Sequence, residues 1–167
     1  MTVLTEQRES IVVGLGEMQV LKGSMSVLSC IGLGSCIALC IYDPVSRIGA
    51  MAHMVMPEGN SKSSDGLPAK YVNSGVPLLI QKAIEQGALR SRLKVKIAGG
   101  ARMLSIPGNN RLDIGERNIV ATKEALVRER VSLSGAETGG TSGRSVQMLL
   151  DSGDVFVKVA GGQPIKI

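Results

Sequence analysis

Apolar and polar positions change period several times along the chain, and each change predicts an element. Residues 11–13 and 17–22 read as short strands separated by Gly14-Leu15-Gly16, and residues 25–30 as a third, stopped by Gly32 and Gly34. Residues 36–42 are apolar enough for a buried strand, and Asp43-Pro44 ends them with turn chemistry. Residues 48–56 return as the hairpin partner, closed by Pro57. The polar, Ser- and Gly-rich residues 58–68 predict a mobile loop.

Helical spacing follows. In residues 69–86, Val72, Val76, Leu79, Ile80, Ala83 and Ile84 form one stripe closed by Gly87, with Pro77 expected to kink it. Residues 94–98 alternate as a strand. Residues 114–130 read as a second helix, with Ile119, Ala125, Leu126 and Val127 as core contacts. Strands are expected at 131–138, 144–150 and 155–160, the last two joined by Asp151-Ser152-Gly153-Asp154. Strands, helix, strand, helix, strands is an α+β order: mixed β-sheets layered with two main helices. No linker divides the chain, so residues 1–167 are expected to form one domain, with 1–10 a flexible N-terminus.

Composition narrows the function classes. The chain has 167 residues, 44% hydrophobic and 20% charged, enough for one sizeable core. Its only aromatic residues are Tyr42, Tyr71 and Phe156, which argues against a stacking platform for nucleic acid. A single histidine, His53, rules out sites built from two within one chain. The net charge of +5 is mild, and the basic residues are scattered. Residues 1–10 lack a charged-then-apolar leader, and no apolar run reaches the ~18–20 residues that span a bilayer. The expectation is a soluble cytoplasmic protein, not membrane-embedded, with reduced thiols at Cys30, Cys36 and Cys40.

The densest chemical signal is Cys30-Ile31-Gly32-Leu33-Gly34-Ser35-Cys36, followed by Gly49-Ala50-Met51-Ala52-His53. A glycine-rich turn allows backbone N–H groups to converge on an anion, so Gly32, Gly34 and Ser35 are oxyanion candidates. If the Asp43-Pro44 hairpin forms, His53 returns beside Cys36, and a cysteine needs such a base to act as a nucleophile. The bland alternative is three buried thiols and a structural histidine. A Cys₃His zinc site from Cys30, Cys36, Cys40 and His53 lacks the compact ligand spacing, and neither Gly-Leu-Gly run completes a dinucleotide fingerprint.

These motifs, with Tyr42-Asp43-Pro44, Ala69-Lys70-Tyr71, Gly99-Gly100-Ala101, residues Ile114-Gly115-Glu116-Arg117-Asn118 and Gly139-Gly140-Thr141-Ser142-Gly143-Arg144, resemble the chemoreceptor glutamine deamidase family, CheD. The resemblance implies a thiol-dependent protein-glutamine glutaminase, with the nucleophile falling on Cys36 and the base on His53. It implies no metal or organic cofactor. The implied partners are the cytoplasmic helices of chemotaxis receptors and a CheC-like phosphatase. Family members commonly carry threonine six residues before the nucleophile, where this chain has Cys30. A thiol is the weaker hydrogen-bond acceptor. A backbone carbonyl or Ser29 could orient the histidine instead, and the sequence does not choose between them. The competing reading is a binding module that docks receptors or the phosphatase with little chemistry.

Other features have mainly structural readings. Arg90, Arg92, Lys94 and Lys96 alternate as the wet face of a strand, with steering of acidic receptor helices as the functional alternative. Met51, Met54 and Met56 read as core filler.

Overall fold

The computed structural model describes residues 8–60, 62, 64–103 and 113–167. Its elements are β1 (Ser10–Val12), β2 (Met18–Lys22), β3 (Val27–Leu33), β4 (Ile37–Asp43), β5 (Ile48–Met54), α1 (Val72–Glu85), a short 3-10 helix (Arg90–Arg92), β6 (Lys94–Gly99), α2 (Ile114–Arg128), β7 (Leu133–Thr138), β8 (Arg144–Leu149), β9 (Val155–Val159) and β10 (Ile165–Lys166). They form two mixed five-stranded sheets, ordered β1-β3-β8-β9-β10 and β2-β5-β4-β6-β7. The α+β expectation holds.

Alternation along β4 and β5 explains the layering. Ile37, Leu39 and Ile41, with Ala50, Ala52 and Met54, face α1 and α2 in one core. Cys36, Ala38, Cys40 and Tyr42, with Met51, face Leu28, Cys30, Val146 and Val157 of the other sheet in a second core. The middle sheet is therefore covered on both sides, and every residue of β4 and β5 is buried. This is why residues 36–42 read as a continuous apolar run.

The hairpin forms around the predicted turn, pairing Ile37 with Met54 and Asp43 with Ile48. Asp43 accepts hydrogen bonds from Val45 N–H (2.9 Å) and Ser46 N–H (3.3 Å). Pro77 sits inside α1. The carbonyl its ring deprives of a partner belongs to exposed Asn73, where water can satisfy it.

Three expectations need correction. Val127 is 75% exposed, whereas Gly115, Asn118, Thr122, Ala125 and Leu126 are buried. The buried face of α2 recurs every three or four residues, and position 127 falls outside it. Arg90 and Arg92 are not on a strand: Arg90 pairs with Glu129 and Arg92 with Asp43, leaving only Lys94 and Lys96 on β6. Residues 8–10 are tied down, because Arg8 pairs with Asp151 (2.6 Å) and Ser10 begins β1. The remaining terminal residues 1–7, and residues 61 and 63 of the expected 58–68 loop, lie outside the described residues.

Candidate active site

Pairing within the hairpin sets the relation between Cys36 and His53. Ala38 lies opposite His53. Successive side chains alternate, so Cys36 shares the face of Ala38 and stands diagonally from His53, a spacing of about 7–8 Å between backbones that an imidazole can bridge. That face looks toward the other sheet, so both side chains sit at the inter-sheet layer. Cys36 is 9% exposed and His53 4%.

The histidine is held by main chain. Nδ1 lies 3.0 Å from the carbonyl oxygen of Val13. A carbonyl can only accept, so Nδ1 carries the proton and Nε2 keeps its lone pair. Nε2 is buried and has no hydrogen-bond partner among the described residues. Burial pushes the His53 pKa down, opposed by the Val13 hydrogen bond and the charge of Glu17. Backbone bonds fix the strand carrying the ring: His53 N–H donates to Glu17 O, and Gly16 N–H donates to His53 O.

Cys30 packs in the same inter-sheet layer. Its Sγ is 3.5 Å from Met51 Sδ, and it is fully buried. In the structure the Nδ1 partner of His53 is the Val13 carbonyl, a backbone carbonyl being one of the two alternatives the sequence left open. Burial raises the Cys30 pKa well above the ordinary thiol range and pushes Cys40 up to about 12, so both are inert hydrophobes. Burial also raises Cys36, but its own backbone N–H pulls the other way. Cys36 is the most accessible of the three thiols.

The turn before Cys36 is gripped by two neighbouring segments. Gly100 N–H donates to Cys36 O and Ala101 N–H to Gly34 O, both at 2.9 Å. The approach needs glycine at 99, where φ is +117° and a Cβ would overlap the Cys36 carbonyl oxygen. From the other side, the Asn118 amide donates to Ser35 O (2.9 Å) and Val55 O (3.0 Å). Gly32 is not part of this grip. It is exposed at the irregular end of β3, and its N–H faces Ser145 Oγ at 3.4 Å.

Sequence reasoning missed Val13 and Asn118. Val13 contributes only a carbonyl, so its side chain carries no signal. Asn118 did leave one: a polar residue where the spacing of α2 demands burial. Among the described residues no cluster of three or more His, Cys, Asp or Glu could hold a metal ion, so Cys30, Cys36, Cys40 and His53 do not form a zinc site.

Comparison with known proteins identifies the family. A family model described as CheD chemotactic sensory transduction matches residues 55–159. The chain belongs to the CheD family. A probable chemoreceptor glutamine deamidase CheD of Symbiobacterium thermophilum is 46% identical over 151 residues, covering 89% of this chain and 92% of the relative. The chemoreceptor glutamine deamidase CheD of Thermotoga maritima is 40% identical over 157 residues, covering 93% and 96%. A probable CheD deamidase of Pyrococcus abyssi is 39% identical over 155 residues, covering 92% and 94%. The family-model match to this CheD chain begins two positions after His53 and so includes neither Cys36 nor His53.

Proposed function

We propose that this chain is a cysteine-dependent glutamine deamidase that converts glutamine side chains of chemotaxis receptors to glutamate, with Cys36 as nucleophile and His53 as base. The observation that carries the reading is the histidine tautomer: Nδ1–H is committed to Val13 O, which leaves Nε2 with its lone pair and no partner among the described residues, on the face shared with Cys36. The chemoreceptor glutamine deamidase activity for which the relatives are named supports the substrate class.

The chemistry follows from two neutral groups. With Cys36 raised and His53 lowered, the resting pair is thiol and imidazole, not thiolate and imidazolium. As Sγ attacks the amide carbon, its proton passes to Nε2, and the carbonyl oxygen takes the negative charge. The imidazolium then gives that proton to the amide nitrogen. The C–N bond breaks, ammonia leaves, and a thioester remains. Nε2 next takes a proton from water, whose oxygen attacks the thioester. The C–S bond breaks, the thiol regains its proton, and the product is glutamate. One base serves both halves because each half returns it to the neutral state.

The cytoplasmic helices of chemotaxis receptors are the partner this reading requires, and a CheC-like phosphatase is a second partner to test for. Incubation with a cytoplasmic receptor fragment should release ammonia and convert particular glutamines to glutamates, read by peptide mass spectrometry. Cys36→Ala should abolish conversion and His53→Ala should leave very little. Conversion that survives Cys36→Ala would overturn the nucleophile assignment. Binding to a receptor or to a CheC-like phosphatase, without conversion of any fragment, would replace the enzyme by a binding module.

A further inference from the structure

The face of α2 turned toward the candidate site carries one group that the mechanism above leaves unused. Asn118 is fully buried, and its amide nitrogen stands 2.9 Å from Ser35 O and 3.0 Å from Val55 O. Both neighbours are carbonyls, so only the nitrogen can face them, and both amide hydrogens are committed. Its oxygen is buried and without a partner among the described residues. A site that tolerates an unsatisfied buried oxygen in order to keep two donors in place values those donors.

Their targets explain why. Ser35 O and Cys36 N–H belong to one peptide unit. In a planar trans peptide the two point in opposite directions. Fixing Ser35 O on Asn118 therefore aims Cys36 N–H away from α2. The Cys36 thiol also lies on the side away from α2, in the layer between the sheets, so N–H and Sγ fall on the same side of the turn, where the carbonyl under attack must lie. The second hydrogen bond ties the same side chain to Val55, two residues after His53. The helix itself has no play against the turn. A Cβ at Gly115 would overlap the carbonyl oxygen of Ala101, whose N–H holds Gly34 O.

We infer that Asn118 is a positioning residue that locks the Ser35–Cys36 peptide so that Cys36 N–H serves as the oxyanion donor for the tetrahedral intermediates. The inference rests on the proposed role of Cys36, and its test separates the two. Removing an oxyanion donor costs about 10²–10³ in kcat, because the donor matters most when charge develops on oxygen. Alkylation by iodoacetamide creates no oxyanion, so it reports the thiol alone.

Asn118→Asp keeps the shape and, once ionised, lacks both donors. Its kcat on the receptor fragment should fall about 30- to 300-fold with KM within twofold, while Cys36 alkylation stays within about threefold of wild type. If the Asp variant does not fold, Asn118→Ser retains one donor and should show the same separation of rates at a smaller loss of about 5- to 50-fold. Wild-type kcat in a folded variant, or turnover and alkylation falling in parallel, would overturn the inference. Activity that survives Cys36→Ala in the same assay would instead overturn the reading on which it rests.

Discussion

Replacing Asp43 with asparagine should destabilise the fold strongly while leaving turnover intact. The carboxylate is fully buried at the hairpin turn. One oxygen accepts from Val45 N–H and Ser46 N–H. The other accepts from Leu89 N–H (2.9 Å) and from Arg92 Nη2 (2.7 Å), with Arg92 Nε 3.0 Å from both oxygens. An asparagine oxygen can replace the first, but its NH₂ would then face three donors. The Leu89 N–H loses its partner, at about 1–3 kcal/mol, and the charged bonds to Arg92, about 1.5–3 kcal/mol each, are lost as well. The Arg92 side chain is 29% exposed and can turn to water, which discounts its share. The sum is about 3–4 kcal/mol, or roughly 10 °C in Tm for a chain of this size. The pH dependence supplies an internal check. Burial alone would raise the Asp43 pKa, but Arg92 and the three N–H groups outweigh it and hold the carboxyl far below its ordinary value. A depressed carboxyl contributes stability above its unfolded pKa of about 3.9 and loses it as pH falls further. The gap in Tm between wild type and variant should therefore be full at pH 6 and shrink below about pH 4. Cys36 lies seven residues away along β4, about 23 Å at strand spacing, so kcat at 25 °C should stay within twofold. Calorimetric melts across pH test the first part and ammonia release the second. A Tm change under ~3 °C, or a gap that widens in acid, would refute the reasoning.

The pH profile of the site should separate two states of its thiol. With a neutral resting pair, kcat/KM rises with pH through the His53 pKa, below the ordinary value of about 6.5, while alkylation of Cys36 keeps rising beyond about pH 8.5. An alkylation rate already at plateau by pH 6 would show a preformed ion pair. Cys30→Thr should leave kcat within threefold, since Val13 already holds Nδ1, and should lower stability by about 1–3 kcal/mol if the new hydroxyl finds no partner beside Met51. A rise of tenfold or more in kcat would return the orienting role to residue 30.

Local sequence carried the hairpin, because both its signals are local: an apolar run long enough for a strand and Asp43-Pro44 to turn it. That Cys36 and His53 share one face of the hairpin follows from that turn and from alternation alone. Arg90 and Arg92 misled because a period of two over four residues is also what a 3-10 turn leading into a strand produces. What decided their fate was distant pairing, of Arg92 with Asp43, 49 residues away in sequence, and of Arg90 with Glu129. The Val13 carbonyl was beyond reach for a different reason. It depends on parallel pairing of β1 with β3, in which Val12 lies opposite Ser29. Such a long-range register leaves no mark on any side chain.

A base oriented by a main-chain carbonyl also has a distinctive mutational profile. Every amino acid brings the same oxygen to position 13, so no exchange of side chain there deletes the contact. Position 30, relieved of that duty, becomes permissive, and a cysteine can occupy it. The vulnerability moves from residue identity to chain length. Adding or removing one residue between Arg8 and Val13 would slide β1 along β3 and present a different carbonyl, or none, to Nδ1. On this reading, exchange at residue 30 should cost turnover less than a one-residue insertion or deletion in the first strand.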